Sequence, residues 1–515
     1  MNKNKIFIFA IIAILLLLGI IGTICVFIFV HIIWPLILVG AIVFILEVAF
    51  ALRIVISPRS NYAKASWMIV ILVFPVIGLL VFIIFGVYPL RKRQRKTYLK
   101  QQEEIINFED FSFSEEARFN ETYNWIFNYG LKHQHKPIYK NNTIKIIADN
   151  TQLFEESIKL IRSAKHYINV QSYIFSYEGF WSKIFFTELI KKANAGVKVR
   201  LIYDWLGAHK RVNNKIFKQL HEYGVEVACF NPKGLTQFKG ATNYRLHSKF
   251  VIVDNKYALY GGSNFADEYL SMNRDNCHWR DLNYLVSGPI VNTMNITFIN
   301  YWTVFCRSKN HEASKQNILN DTRLIFRKND FAQTNTVAQL LVFEPDFNEF
   351  ALENALLHAF YNAKKSIKIL TPYFCPPNSI IEALKACHNQ GIKIEIIAHN
   401  KNQKYVQMMN RENYKKLADM GASVYEYDGY LHSKCIIIDD TYVLTGSCNV
   451  DWRSIYLDFE SELIVYDQEF TNNVLKVYED TKQNSTLQTS QMLGEKLNLW
   501  SRFLLKLLNF GKSLF

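Results

Sequence analysis

The pattern of apolar and polar positions changes character near residue 90. Ile6 to Val30 carries no charged residue, and Ile32 to Leu52 carries only Glu47. A third apolar run, Trp67 to Val87, follows the polar stretch Ser57 to Ser66. Each run is long enough to cross a bilayer, which predicts an anchor of two or three spans over residues 1–90. The first run exceeds a signal-peptide core and lacks a small-x-small site, so a cleaved leader does not fit. Beyond the last run stand Arg91, Lys92, Arg93, Arg95, Lys96 and Lys100. By the positive-inside rule this cluster predicts that the remaining chain is cytoplasmic. Three spans would leave Lys3, Lys5, Arg53, Arg59 and Lys64 outside, which a re-entrant run or the weight of the larger cluster reconciles.

Past a basic juxtamembrane connector (91–142), apolar runs of strand length alternate with helical periodicities. The first lobe, 143–335, predicts strands at Thr143 to Ile147, Tyr167 to Phe175 and Val197 to Tyr203. Helices fall between them at Thr151 to Ala164, capped by Thr151, and at Trp181 to Ala195, with a third at Asn213 to Tyr223. The second lobe, 336–485, repeats the order. Helices at Phe350 to Ala363, Ile380 to Asn389 and Asn413 to Met420 alternate with strands at Ile367 to Phe374, Ile392 to His399 and Val424 to Tyr427. Such alternation implies α/β lobes with a largely internal sheet. Tyr173 and Tyr373 end matching strands. An excess in the first lobe, mostly 231–243, reads as a loop bordering a site. In the tail, 486–515, Leu497, Trp500, Phe503, Leu504, Leu507 and Leu508 share one helical face. That face fits an interfacial membrane helix and a core-docking helix equally.

One stretch occurs twice. Leu246 to Asp254 and Leu431 to Asp439 place His, Lys and Asp at identical spacing, at a constant offset of 185 residues. The register continues, because Gly261-Gly262-Ser263-Asn264 matches Gly446-Ser447-Cys448-Asn449. This indicates an internal duplication that carries chemistry. Val251 to Val253 and Ile436 to Ile438 read as buried strands. Alternation then puts His247 with Lys249 on one face, and His432 with Lys434. Asp254 and Asp439 have the opposite parity and begin turns, so their expected task is to hold the structural edge.

A histidine beside a lysine suits attack on phosphorus. Neutral imidazole can form a covalent phosphoryl-enzyme, and a second imidazole can protonate the leaving alcohol. Lysine and asparagine stabilise charge on the non-bridging oxygens. A nucleophilic histidine also needs its other nitrogen held, commonly by a carboxylate. Asp281 and Glu460, each opening an apolar stretch downstream of a copy, are the candidates; as a bland alternative they are exposed strand-end acids.

These residues resemble the phospholipase D superfamily, whose signature H-x-K-x4-D-x6-G-S-x-N occurs in two copies. The second copy matches fully at His432, Lys434, Asp439, Gly446, Ser447 and Asn449. The first departs where Gly262 replaces serine. More narrowly the chain resembles bacterial cardiolipin synthases, from Asn264 with Asp267-Glu268-Tyr269, Trp279-Arg280-Asp281, Asp451-Trp452-Arg453-Ser454 and Phe459-Glu460. The resemblance implies N-terminal membrane helices and two duplicated lobes sharing one active site. It implies catalytic His247, Lys249, Asp254, His432, Lys434 and Asp439, with His247 attacking and His432 as acid/base. Asn264, Ser447, Asn449, Asp281 and Glu460 would support them or bind phosphate, and Glu268, Tyr269, Arg280 and Arg453 would contact substrate. The implied reaction joins two phosphatidylglycerol molecules into cardiolipin and glycerol through a phosphatidyl-histidine. A phospholipase D, or a transferase with another donor or alcohol, shares that intermediate.

Composition changes the picture in two places. The net charge of +14 calls for anionic partners. That leaves a membrane-tethered nuclease or nucleic-acid binder as a remote alternative. The adjacent apolar runs favour phosphatidylglycerol and other anionic phospholipids at a membrane, with no nucleic acid. The eight cysteines form no C-x-x-C pair or His/Cys ligand cluster, and Cys435 and Cys448 read as buried strand thiols. No Walker loop, dinucleotide fingerprint or H-E-x-x-H is present, so no cofactor and no catalytic metal are expected.

Overall fold

The structure is a computed structural model. It describes residues 3–57, 61–86, 121–177, 179–208, 214–230, 244–269, 279–307, 318, 332–345, 350–399, 404–495 and 505–506. The cluster at 91–100, the segment 231–243 and the apolar face of the tail helix lie outside the described residues. The chain divides into two compact units, residues 1–86 and the rest from 87 onward.

In the first unit the first two apolar runs form one continuous helix. Lys3–Ile28 passes through a single π-turn, Phe29–Ile33, into Trp34–Val55. Among the described residues, Ala10–Val55 is the one helix long and apolar enough to cross a membrane, and its side chains are largely exposed. The third run is broken. Pro75 lacks an N–H and crowds the preceding turn, so Asn61–Val73 ends and Pro75–Val81 begins at Phe74. The two pieces fold close together, because a Cβ on Gly78 would meet the Val70 carbonyl oxygen at 2.4 Å. Trp67 and Phe82 meet edge to face at 5.0 Å, and Phe82 also meets Phe50 of the long helix.

The second unit holds both lobes. From edge to edge the first sheet runs Thr143–Ile147, Asn283–Ser287, Tyr257–Gly261, Phe250–Val253, Tyr167–Ser172, Lys198–Asp204, Val225–Phe230 and Cys306–Arg307. The second sheet repeats this order. It runs Val337–Phe343, Asp458–Tyr466, Tyr442–Gly446, Cys435–Ile438, Ser366–Leu370, Lys393–His399, Ser423–Tyr427 and Ser485–Gln488. The three strands alternating with helices pair in parallel, and their neighbours pair antiparallel. Helix starts differ from the sequence reading in two places. Asp149, not Thr151, caps Asn150–Ser163 by accepting from Thr151 N and Gln152 N. The helix read from Asn413 begins nine residues earlier, at Lys404.

The two sheets share a core. Tyr260, Tyr284 and Phe250 from the first pack with Ile437, Val443 and Leu463 from the second, around the buried helix Ile290–Asn300. Tyr260 donates to the Ser461 carbonyl at 2.7 Å, and Tyr284 bonds Thr445 at 2.6 Å. The lobes are therefore joined through a shared packed interior.

Asp254 and Asp439 sit where the parity argument puts them. Each begins a turn with two successive positive φ values, at Asp254 and Asn255 and at Asp439 and Asp440. The Asp254 carboxylate accepts from the backbone N–H groups of Lys165, His166 and Tyr167. That of Asp439 accepts from Lys364, Lys365 and Ser366. Each thus ties a hairpin turn to the start of the neighbouring strand. Asp254→Asn and Asp439→Asn are expected to cost about 1–3 kcal/mol of stability, read as a lower melting temperature, while folded protein keeps part of its activity. Unchanged melting with abolished turnover would assign these aspartates to chemistry instead.

Candidate active site

Each signature histidine is preceded by a two-residue strand that leaves its own lobe. Arg245–Leu246 pairs in parallel with Asp458-Phe459, and Tyr430–Leu431 pairs in parallel with Trp279–Arg280. His247 N and Ser248 N both donate to the Phe459 carbonyl, and His432 N donates to that of Arg280. These bonds set each histidine beside the residue that follows on the opposite lobe. Hence His247 Nδ1 lies 2.8 Å from Glu460, and His432 Nδ1 lies 2.7 Å from Asp281. The carboxylates are exchanged between the lobes. An imidazole whose Nδ1–H donates to a carboxylate keeps its lone pair on Nε2.

The two carboxylates are held differently. Ser447 Oγ donates to Glu460 Oε2, and Ser454 Oγ donates to Oε1 at 2.8 Å. In the first copy no hydroxyl stands at Gly262, and none would fit, because a Cβ there would meet Asp281 Oδ1 at 2.5 Å. Ser263, one residue on, donates to Asp281 Oδ2 at 2.8 Å, while Leu282 N donates to Oδ1. The shorter aspartate approaches its own backbone, and the missing Cβ makes room for it.

Lys249 and Lys434 are almost wholly buried. Each Nζ donates back to the carbonyl of its own motif histidine, and Lys434 Nζ also lies 3.0 Å from His432 Nδ1. Burial pulls Lys249 down to about 7 and Lys434 down to about 8, although Glu460 and Asp281 oppose it. Burial also carries His247 well below the usual histidine range, helped by Lys249 and Lys434. It takes His432 down to about 4, with Lys434 adding to it and Asp281 opposing. Burial pushes Glu460 up to about 7 against the pull of Lys249. At Asp281 burial is outweighed by His432 and Lys434, which hold the carboxyl below its ordinary value. The site is thus a pair of neutral imidazoles beside two lysines whose burial disfavours their charge.

Both histidines line a cavity of about 500 Å³ with Asn264, Asn449, Tyr269 and Arg453. Asn264 is fixed by Ser172, Ile174 N and Tyr269 OH. Asn449 Oδ1 is buried without a hydrogen-bond partner. Asp254 and Asp439, implied as catalytic, stand on backbone amides away from both histidines, and two of the substrate-contact candidates also lie elsewhere. Arg280 points to Asp480 and Thr481 and is not among the lining residues, and Glu268 does not line the cavity. Sequence reasoning missed Arg245 and Asp458, which do line it. Strand parity could have found them, since each stands two residues before a site residue. Among the described residues, His247, Asp458 and Glu460 are the one group spaced to hold a metal. Within it His247 and Glu460 are already bonded to each other.

The comparisons with known proteins agree with this geometry. The family described as cardiolipin synthase, PLD-like domain, matches residues 157–302 and 356–481. A phospholipase D-nuclease N-terminal family matches residues 38–86. The chain is 30% identical over 455 residues to the major cardiolipin synthase ClsA of Bacillus subtilis (strain 168), covering 85% of this chain and 91% of that one. It is 30% identical over 468 residues to cardiolipin synthase 1 of Bacillus anthracis, covering 89% and 88%. The phosphatidylserine synthase of Haemophilus influenzae Rd KW20 shares the fold, with a TM-score of 0.57 at 17% identity over 75% of this chain and 97% of that one. A duplicated lobe, two exchanged histidine–carboxylate pairs and these matches have one reading: the chain belongs to the cardiolipin synthase family of phospholipase D-like enzymes.

Proposed function

We propose that this protein is a membrane phosphatidyltransferase that makes cardiolipin and glycerol from two molecules of phosphatidylglycerol. The observation that carries the reading is the pair of partly exposed histidines, each buttressed by the other lobe's buried carboxylate, facing one cavity. In the first step Nε2 of one histidine, His247 by family analogy, attacks the donor phosphorus. The P–N bond forms as the P–O bond to glycerol breaks, and the His432 imidazolium gives glycerol its proton. A hydroxyl of the second phosphatidylglycerol then passes its proton to His432. Its oxygen bonds to phosphorus while the P–N bond breaks, which restores the free enzyme. Lys249, Lys434, Asn264 and Asn449 balance charge on the non-bridging oxygens, and Asp281 and Glu460 fix the tautomers. The bound phosphodiester offsets the lysine charges, so His432 regains affinity for a proton when substrate arrives.

The anchor fits a lipid substrate. At 1.5 Å per residue the helix Ala10–Val55 spans about 70 Å, over twice a ~30 Å hydrocarbon core. A multi-pass anchor therefore needs a break in that helix, and the π-turn Phe29–Ile33 around His31 is the place we assign to it. The basic residues at 91–100 would keep the lobes in the cytoplasm.

Purified protein given phosphatidylglycerol alone should yield cardiolipin and free glycerol in equal amounts, and EDTA should leave the rate intact because the lysines supply the positive charge. Phosphatidic acid as main product would make it a hydrolase, and a loss restored by one divalent ion would refute the metal-free scheme. Asp281→Asn and Glu460→Gln should fold normally and lose on the order of 10³–10⁴ in kcat. Gly262→Ser should resemble Asp281→Asn, since its side chain displaces that carboxylate; wild-type activity in Gly262→Ser would refute the steric argument.

The lysines fix a pH dependence. Each must be protonated to work, and its charge is lost as pH rises through about 7 for Lys249 and about 8 for Lys434. The profile of kcat/KM should fall across that window, whereas that of kcat should fall at higher pH, because a bound phosphodiester raises both lysines. Coincident alkaline limbs would show that substrate does not meet these cations.

A further inference from the structure

The duplication places equivalent positions on the two flanks of the cavity, and their side chains differ in kind. Two residues before the histidines stand Arg245 and Tyr430, and two before the exchanged carboxylates stand Asp458 and Trp279. Matching sheet strands end in Asp204 and His399. Around His247 these positions are charged. Arg245 lies 3.4 Å from Asp204, and Asp458 lies 3.0 Å from Arg453. Around His432 they are rings, with Trp279 stacked on Tyr430 at 5.3 Å and His399 edge-on to Tyr430 at 5.7 Å. Arg245, Asp458 and Arg453 line the cavity, while Trp279, Tyr430 and His399 do not. The cavity therefore opens onto the charged flank and is walled on the other side by Tyr269, Tyr373, Cys375, Val406 and Met409.

We propose that Arg453, Arg245 and Asp458 form a second headgroup subsite that takes the glycerophosphate of the acceptor lipid. The inference rests on the transferase reading above and deepens it. Cardiolipin carries two phosphodiesters joined by one glycerol. While one is held at the histidines and lysines, the other must lie three carbon atoms away in the same cavity. Guanidinium groups match a phosphodiester in charge and shape. Arg453, with 42% of its side chain exposed, stands toward the opening, and Arg245 lies deep with 3%. Burial pushes the Asp458 carboxyl up, with Arg453 opposing and Glu460 adding, which weakens its hold on the arginine. A carboxyl in that state can hydrogen-bond the central hydroxyl of the acceptor's glycerol. Hydrolysis would need none of this, because water has no second phosphate.

The test compares two acceptors of one phosphatidyl-enzyme. Full-length protein is given phosphatidylglycerol in mixed micelles with radiolabelled glycerol. Cardiolipin reports an acceptor carrying a phosphate, and label entering phosphatidylglycerol reports one without it. Arg453→Gln should lower the ratio of cardiolipin to labelled phosphatidylglycerol by roughly tenfold or more, and Arg453→Lys should recover much of it. Should Arg453→Gln fail to fold with Asp458 unpaired, the double variant Arg453→Gln/Asp458→Asn keeps the flank neutral and should show the same fall. An unchanged ratio, both products dropping together, would make the flank structural and overturn the subsite. Wild-type protein that makes no cardiolipin would overturn the transferase reading itself, whatever the variants do.

Discussion

Everything at this site depends on two short parallel strand pairings that cross between the lobes. Arg245–Leu246 is held against Asp458-Phe459, and Tyr430–Leu431 against Trp279–Arg280. Because side chains alternate along a strand, a slip of one residue would turn Glu460 or Asp281 away from its imidazole. The register is protected from both sides. Backbone donors on His247, Ser248 and His432 fix it at the site, and the shared core with its Tyr260–Ser461 and Tyr284–Thr445 bonds fixes it behind. Neither lobe contains a complete histidine–carboxylate pair. The duplicated halves must be one body before either histidine is oriented.

That body carries an electrostatic cost. Two lysines, two histidines and two carboxylates are taken from water into a space where each ion alone would be strongly disfavoured. The costs are met pairwise, by the exchanged hydrogen bonds and by the carbonyls that receive the lysines. Burial is the largest influence on both lysines, and it lowers them although Glu460 and Asp281 pull the other way. In the proposed reaction a negative phosphodiester would pair with these lysines, and more strongly as charge grows on its oxygens in the transition state.

Much of this was legible because two periodicities recur at a fixed offset. The repeated H-x-K-x4-D stretches mark equivalent strands, and the sheets do follow one order in both lobes. Opposite parity separates Asp254 and Asp439 from their histidines, and the structure puts both on turn amides. The exchange of carboxylates was not legible, since local parity says which face a residue shares but not which strand lies beside it. Hydropathy alone likewise joins the residues on either side of Pro75 into one run, although the ring breaks the helix there. It also splits the first two runs at His31, where a π-turn instead carries a single helix through.

Gly262 illustrates how a departure from a repeat can be read. Set beside Ser447 it is a lost hydroxyl. Set beside Asp281 it is half of a compensated change. A carboxylate one methylene shorter than Glu460 is brought nearer its own backbone, so the Cβ in its way is gone and the hydroxyl that steadies it comes from Ser263. The two histidines thus meet the same requirement through different surroundings, and the walls beyond them diverge further, into charge on one side and rings on the other. Duplication supplied two equal imidazoles. The proposed mechanism asks one to form a bond to phosphorus while the other moves a proton, and the side chains that make their surroundings unequal lie next to the repeated motif rather than within it.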